Sequence, residues 1–285
     1  MEQGFIAGPA AVPAAAATIV TVPARLGRRD VREGSAACAG TYPFEIDDEV
    51  VTGWHVHDLH QLEYAFEGVV QVETATAHYL LPPQQAAWIP AGVEHCTTLT
   101  RVRTMSVFFG PDPDFDAGSA VRILAVAPVV REMILHARRW PISRPASDPA
   151  ADAFFQALGH VITESLDQEA PLYLPTSQDP LVRAAMEFTL AHLAEVTLRG
   201  LCAAVATSER SLRRAFHAET GMAWRQYLLQ ARLLRAMAML SLAGPNVLEI
   251  ATSVGFQSLS GFTRAFRRYT GETPLAYRRR VMPVR

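Results

Sequence analysis

Residues 246–279 read NVLEIATSVGFQSLSGFTRAFRRYTGETPLAYRR, and this stretch predicts two short helices joined by a tight turn. In the first helix Ile250 and Val254 recur at helical spacing, so one face is expected to be buried. Gly255 is predicted to end that helix in the left-handed conformation, and Ser258 to cap the next one. A short arginine-rich helix after such a turn is typical of a helix-turn-helix, although a helical hairpin with a solvated basic face gives the same pattern.

The same order of parts occurs upstream, in residues 201–221 (LCAAVATSERSLRRAFHAETG). An apolar, alanine-rich helix is followed by a cap at Ser208 and by a basic helix that ends near a Thr-Gly pair, as its later counterpart does. Between the two copies, residues 223–242 contain no Gly or Pro and repeat apolar residues at helical spacing, which predicts one long connecting helix. The duplication favours two helix-turn-helix units over an isolated hairpin.

The phrases SERSLRRAF, GFQSLSGFTRAFRRYTGETP and YRR resemble the DNA-binding domain of AraC/XylS-type transcription regulators, over about residues 179–280. The resemblance implies an all-α domain whose two recognition helices enter successive segments of the major groove of promoter DNA. It also implies base contacts from several matching positions, while Arg267 and Arg268 are better placed for phosphates. The expected DNA-contacting residues are Arg210, Arg213, Arg214, Gln257, Leu259, Ser260, Thr263, Arg264, Arg267 and Arg268.

Arginine favours the O6 and N7 atoms of guanine, so three arginines on the first recognition helix predict a half-site that contains G. Leu259 on the second helix can make only apolar contact, for example with a thymine methyl group.

The charge distribution supports a nucleic-acid partner for the C-terminal part alone. The chain has 285 residues, enough for two domains, and a formal net charge of −2. Residues 176–285 contain 15 Arg and 7 acidic residues, a net of +8, whereas residues 1–175 have 11 Arg and 21 acidic residues, a net of −10. Such an asymmetry indicates that the C-terminal part meets a polyanion.

Composition also predicts the compartment. No apolar run approaches the ~20 residues that cross a bilayer, and the first residues lack the Lys or Arg of a secretory signal. Cys38, Cys96 and Cys202 are widely spaced and odd in number, which favours free thiols. We therefore expect a cytoplasmic protein with no membrane partner.

The N-terminal half predicts a β-barrel. Residues 1–40 are rich in Ala, Pro and Gly and are expected to be a disordered lead-in, with a strand at Thr18–Val22 on a sheet edge as the alternative. Residues 41–126 have the texture of many short strands separated by turns, which is typical of a barrel or sandwich. The candidate strands are residues 61–66, 69–74, 77–81, 86–89 and 105–109.

Two motifs in this region resemble a cupin. GWHVHDLHQLEYAFEG supplies His55, His57 and Gln61, and PAGVEH supplies His95. In the cupin pattern three His and a Glu hold a metal inside the barrel, and here Gln61 stands where the Glu is usual. The resemblance implies one divalent transition metal, such as Zn, Fe, Mn, Ni or Cu, whose identity stays open. The alternative is a pocket that has lost its metal and in which the His only form hydrogen bonds.

Four further residues are candidates for effector binding in the same cavity: Trp54, Glu63, Tyr64 and Trp88. Large aromatic side chains in a barrel are also typical of ordinary core. His60, between the motif residues, is an alternative ligand or a surface residue.

The remaining segments connect these parts. Residues 127–170 predict two amphipathic helices, which the family resemblance implies pack two subunits into a homodimer, although they can equally pack on their own barrel. Residues 171–178 are predicted to be a linker, and residues 179–285 the DNA-binding domain, opened by an Asp179 cap.

Together these features predict a transcription regulator, not an enzyme. A cupin domain senses a small-molecule or metal effector, two helix-turn-helix units bind promoter DNA, and RNA polymerase is a partner if the protein activates. The enzyme alternative is a cupin-type metalloenzyme, an oxygenase or isomerase, which leaves the double DNA-binding module unexplained. A third alternative is an architectural DNA binder that senses nothing.

Overall fold

The structure is a computed structural model that describes residues 25–32, 37–110, 118–144, 148–166, 172–242 and 244–282. It contains a β-barrel with two flanking helices, followed by a helical domain. The alternative strand at Thr18–Val22 lies outside the described residues. All three cysteines are free thiols, as predicted. No described helix combines the length and apolar character that a membrane span needs.

One sheet forms the barrel, with its seventh strand at the centre. That strand, β7, pairs antiparallel with β4 along most of its length and also with β2 and β3. β4 pairs in addition with β5 and β6, and β8 pairs with β6. The strands are β1 (Arg25–Arg28), β2 (Ala39–Val51), β3 (Trp54–Val56), β4 (His60–Thr74), β5 (Ala77–Leu81), β6 (Gln85–Ile89), β7 (His95–Phe109), β8 (Arg122–Ala125) and β9 (Tyr173–Pro175).

Side-chain alternation gives the barrel two different faces. Successive residues of a strand point to opposite sides, so the even-numbered residues near the start of β4 face away from the odd-numbered ones. Leu62 and Tyr64 join an apolar cluster with the helices α1 (Pro128–Ala137) and α2 (Pro149–Ser165). The apolar faces of these helices therefore pack on the barrel of their own chain, the second of the two packings that the sequence allowed.

The structure corrects the predicted domain boundaries at two places. The lead-in expected over residues 1–40 contains β1, which pairs in parallel with β3. The linker expected over residues 171–178 contains β9, which pairs antiparallel with β5. Both are short edge strands whose partners lie far away in the sequence, so local composition does not reveal them.

Seven described helices form the C-terminal domain; the first six follow the predicted order, and the last, α9, was not predicted. The Asp179 side chain caps the first of them by accepting a hydrogen bond from the Val182 amide at 2.9 Å. The helices are α3 (Pro180–Ala191), α4 (Leu198–Ala204), α5 (Glu209–Thr220), α6 (Trp224–Leu240), α7 (Val247–Ser253), α8 (Leu259–Thr270) and α9 (Pro274–Val281). We call α4 with α5 the first unit and α7 with α8 the second unit; α6 is the connecting helix.

The domains touch along the edge strand β9. The side-chain amide of Gln230, on α6, donates to the Tyr173 carbonyl at 2.8 Å. The Ser177 hydroxyl donates to the carboxylate of Glu219, in the last turn of α5, also at 2.8 Å. The segment predicted to be a linker is therefore part of the sheet and contacts the helical domain directly.

Candidate nucleic-acid interface and metal centre

The first recognition helix, α5, divides into a buried and an exposed side. Ser208 caps it, with its hydroxyl accepting from the Ser211 amide at 3.1 Å. Leu212 and Phe216 are fully buried and fix the helix to its domain. The opposite side is exposed and forms an open hollow, whose lining includes the three predicted arginines, Arg210, Arg213 and Arg214.

Three residues of this hollow were missed by the sequence analysis, namely Glu209, His217 and Ala218. Glu209 accepts a hydrogen bond from Arg213 at 3.0 Å, and His217 lies one turn further along. The signal for Glu209 was its position four residues before Arg213 on the same helix face. An exposed ion pair of this kind adds little stability, but it sets a carboxylate among the arginines, and carboxylates can accept from the amino group of cytosine.

The second recognition helix, α8, has the same division. Ser258 caps it, and Phe262 and Phe266 are fully buried. Gln257, in the turn before it, is exposed. The other predicted residues share one open hollow, and all of them except the half-buried Thr263 are exposed: Leu259, Ser260, Thr263, Arg264, Arg267 and Arg268.

The three predicted metal-binding histidines lie together inside the barrel. In each ring Nδ1 contacts a backbone carbonyl, which can only accept, so Nδ1 carries the proton and Nε2 keeps its lone pair. In protein metal sites, a hydrogen bond from the other ring nitrogen of a ligating histidine orients the ring toward the metal. One ligand atom from each ring lies within 4.8 Å of the others. The Nδ1 contacts are His55 to Gly53 at 2.9 Å, His57 to Leu59 at 2.7 Å and His95 to Val93 at 2.9 Å.

Burial keeps these rings neutral. It lowers the pKa of His55 and His57, and it lowers the pKa of His95 to about 3. Neutral imidazole is the form that binds metals. The buried Nε2 atom of His95 has no hydrogen-bond partner among the described residues. An unpaired buried lone pair is costly, and a metal ion would satisfy it.

Gln61 contributes an amide oxygen to the same centre. Its Oε1 atom lies 2.9 Å from Nε2 of His57. Both atoms carry lone pairs, so at this distance they need a cation: either a proton on the His57 ring or a metal ion that both atoms ligate. Burial lowers the pKa of His57 and so disfavours the protonated ring. The alternative is a Gln61 side-chain amide rotated by 180°, whose nitrogen donates to Nε2 of His57. Its oxygen would then face Glu63, and the Glu63 carboxyl would have to be protonated in order to donate a hydrogen bond to it.

Glu63 is buried beside Gln61 and belongs to the cavity, as predicted. Its carboxyl accepts from the Gln61 amide at 3.0 Å and from the hydroxyls of Thr104 and Ser106. Burial raises the pKa of Glu63. The residues that line the cavity include His55, His57, Gln61 and Glu63, together with Arg29, which is exposed. The cavity measures about 70 Å³, which is room for an ion with a few water-sized groups.

The other three predicted effector residues do not line this cavity. Tyr64 and Trp88 point to the opposite face of the sheet, into the cluster with α1 and α2, because they alternate with the cavity residues. His60 stacks on Trp88 with ring centroids 5.3 Å apart, and its Nδ1 accepts from the Ala91 amide. Trp54 is half-buried and also lies outside the cavity lining.

Both domains match known protein families. Residues 40–174 match the family described as the AraC-like ligand binding domain, and residues 201–280 match a helix-turn-helix domain family. The chain is similar to the HTH-type transcriptional regulator NimR of Escherichia coli strain K12, with 30% identity over 240 residues, 83% of this chain and 86% of NimR.

Two other relatives match over a smaller share of this chain. The transcriptional activator NphR of a Rhodococcus species is 32% identical over 140 residues, which are 49% of this chain and 41% of NphR. The activator RhaR of E. coli strain K12 is 34% identical over 105 residues, 36% of this chain and 37% of RhaR. All three relatives are named as transcription regulators, which favours that function over a cupin metalloenzyme.

Proposed function

This chain belongs to the AraC family of transcriptional regulators, and from that premise we propose that α5 and α8 read promoter DNA while the barrel responds to a bound metal. The observation that supports DNA reading is the pair of exposed faces on two capped helices, each presenting arginines beside a buried aromatic core. Helices of this size fit the major groove, and arginine forms a bidentate pair with guanine.

The proposed effector centre is one divalent transition metal held by His55, His57 and His95, with the Gln61 oxygen as a fourth ligand. The ring nitrogens support it: Nε2 of His95 has no partner among the described residues, Nε2 of His57 faces the Gln61 oxygen, and one ligand atom of each ring lies within 4.8 Å of the others. Bound there, the metal would supply a positive charge and an open coordination position for a small effector. The chain's own residues hold the rings neutral and oriented.

Three further partners and properties follow as proposals. We propose a homodimer, formed through surfaces other than the apolar faces of α1 and α2 that already cover the barrel. RNA polymerase is the proposed partner if the protein activates transcription. A cytoplasmic location is proposed because that is where promoter DNA lies in a bacterium. Sedimentation of the full chain would test the dimer, since a monomer at micromolar concentration would contradict it.

The experiment for the whole proposal is selection of binding sites from random DNA, repeated with and without a panel of divalent metals. We expect an enriched, G-containing site whose affinity falls steeply with salt, because arginines displace counterions from phosphates. Failure to enrich any sequence would contradict DNA reading. A site and an affinity that no metal alters would contradict metal sensing.

Matched histidine variants test the metal centre itself. We expect His95→Ala to weaken metal binding by about 100-fold or more, because it removes a direct ligand. His60→Ala is the control, since His60 stacks on Trp88 outside the cavity and should leave metal content unchanged. Equal metal content in both variants after purification and dialysis would exclude the proposed site.

A further inference from the structure

Arg232, on the connecting helix α6, makes two hydrogen bonds away from the DNA-reading surface. Its Nε donates to the Leu193 carbonyl at 2.9 Å, and one terminal nitrogen donates to the Ala194 carbonyl at 3.2 Å. These carbonyls belong to the segment just after α3, where the negative end of the helix dipole favours a cation. The half-buried guanidinium thus holds the loop that leads into the first unit.

The turn of the second unit meets the same place. Gly255 follows α7 and has φ of +89°, a left-handed conformation that favours glycine. A Cβ added there would lie 2.4 Å from the Ala194 carbonyl oxygen and 2.7 Å from the terminal nitrogen of Arg232. The backbone of the second unit at Gly255 therefore lies directly against the loop that leads into the first unit and against the Arg232 guanidinium that holds this loop.

This junction ties the second unit to the loop that leads into the first unit. The second unit also packs on α6, with Ile250 and Phe262 buried in the same cluster as Met237. That packing holds the second unit to α6, and the contact beside Gly255 adds a direct link from the second unit to the loop before α4.

We propose that Arg232 is a positioning residue that fixes the separation and relative rotation of α5 and α8. Through them it determines which spacing of two half-sites the protein accepts. The proposal rests on the proposed function, in which both helices read one DNA molecule. Dimers and tandem modules bind tightly only where geometry lets both halves engage at once.

The first test uses the wild-type full-length chain and its selected site. Inserting one, two or three base pairs between the half-sites rotates one by about 35° per pair. We expect each insertion to reduce affinity toward that of a probe with a single intact half-site. Full affinity across all insertions would overturn the proposal, whereas failure to select any two-part site would instead contradict the proposed function.

The second test compares Arg232→Met with the control Arg235→Met. Arg235 is an exposed arginine three residues further along the same helix. For Arg232→Met we expect affinity for single half-sites within about twofold of wild type, a loss of about tenfold on the two-part site, and weaker discrimination against inserted base pairs. Arg232→Lys should recover part of the loss, since an ammonium can reach one carbonyl. Arg235→Met should keep the wild-type spacing preference.

Two outcomes of the second test would count against the positioning role. One is an Arg232→Met variant with the wild-type spacing preference on two-part sites. The other is an Arg235→Met variant that loses that preference equally. If Arg232→Met does not fold, as shown by lost binding to single half-sites, Arg232→Lys takes its place, and wild-type affinity and spacing preference of Arg232→Lys on two-part sites would contradict the role.

Discussion

The first and second units have the same frame, by which we mean the serine cap, the buried aromatic pair and the terminal glycine of each recognition helix, but they present different side chains to DNA. Each residue of α5 has its counterpart 50 positions later in α8, as with Ser208 and Ser258, which cap the two helices. Phe216 packs against Tyr227 with centroids 5.3 Å apart, and Phe266 packs against Tyr277 at 5.5 Å, both edge to face. Both helices end at a left-handed glycine, Gly221 and Gly271.

The outward positions differ although the frame does not. Arg214 and Arg264 are the shared cation, while the first unit has an acidic residue and two further arginines where the second has a leucine, a serine and a threonine. Near the end of each helix the second unit instead gains cations. Among the residues that line the two hollows, the pairs that differ are Glu209 and Leu259, Arg210 and Ser260, Arg213 and Thr263, His217 and Arg267, and Ala218 and Arg268. A few buried residues thus fix the fold and leave the reading surface free to diverge.

Truncating the buried aromatic of each unit should test the shared frame with the largest effect. Phe216→Ala and Phe266→Ala should each cost about 3–5 kcal/mol in the free energy of unfolding, because each leaves a cavity in a fully buried cluster. Urea denaturation of the full chain, followed by tryptophan fluorescence, measures both. Costs that differ by more than about 2 kcal/mol would break the equivalence, since the cavities are expected to be alike.

The frame was predictable because it depends on local sequence. Serine caps, left-handed glycines and apolar residues at helical spacing act within a few residues of one another, and each predicted helix of both units is present. The histidine cluster was also predictable, since alternate residues of a strand share a face. The same alternation, applied to Tyr64 and Trp88, would have placed them away from the cavity.

The errors lie where distant segments decide. β9 forms because β5 offers it an edge, and nothing within EAPLYLPTSQ reveals that partner. The long strand β2 was missed because most of its residues are exposed and the apolar ones do not alternate regularly with polar ones, so the pattern of a half-buried strand is weak. The contact of Gly255 with Ala194 joins residues of two units, which no local pattern encodes.

The outward difference between the units should appear when counterpart residues are replaced. Arg213→Ala should cost about 1–3 kcal/mol on the best site and relax sequence preference at one position, because a bidentate arginine contact is lost. Thr263→Ala, at the counterpart position, removes one hydroxyl and should cost about 1 kcal/mol or less. Fluorescence anisotropy with the selected site and single-base variants measures both.

Arg183→Ala, an exposed arginine on α3 outside both units, is the control for Arg213→Ala and should bind as wild type does. If Arg213→Ala weakens binding equally on all sequences, Arg213 contacts phosphate only. If Thr263→Ala costs as much as Arg213→Ala, the two surfaces read DNA with equal weight and the comparison fails there.

The two caps offer a smaller test of the shared frame. Ser208→Ala and Ser258→Ala should each cost about 1 kcal/mol in stability, because each leaves a backbone amide of the first helical turn without its acceptor. Replacement by Gly at the same positions should cost only a few tenths of a kcal/mol. Thermal denaturation of the four variants measures the differences in stability. If Ser→Ala leaves the stability unchanged in one unit only, other contacts hold the start of that helix.

The smallest expected effect concerns the turn between the two helices of each unit. Ala206 in the first unit has φ of +49°, and its counterpart in the second unit is Gly255. The hydrogen bond from Thr207 to the Cys202 carbonyl is matched by that from Phe256 to Ala251, so the two turns close in the same way. An alanine in the left-handed conformation costs about 1 kcal/mol, which glycine avoids at a lesser cost in chain entropy.

Ala206→Gly should therefore stabilise the protein by roughly 0.5 kcal/mol, measured as a rise in the midpoint of urea denaturation. Ala203→Gly, an exposed position within α4, is the matched control and should destabilise by about 0.5–1 kcal/mol, because glycine inside a helix loses more freedom. Stabilisation at 206 with destabilisation at 203 would show that the left-handed backbone at Ala206 is strained, a strain that this exposed turn tolerates. The second unit has no such choice, since any Cβ at 255 meets Ala194 and Arg232. A loss of stability at 206 would instead mean that the alanine methyl group contributes a contact that outweighs its backbone strain.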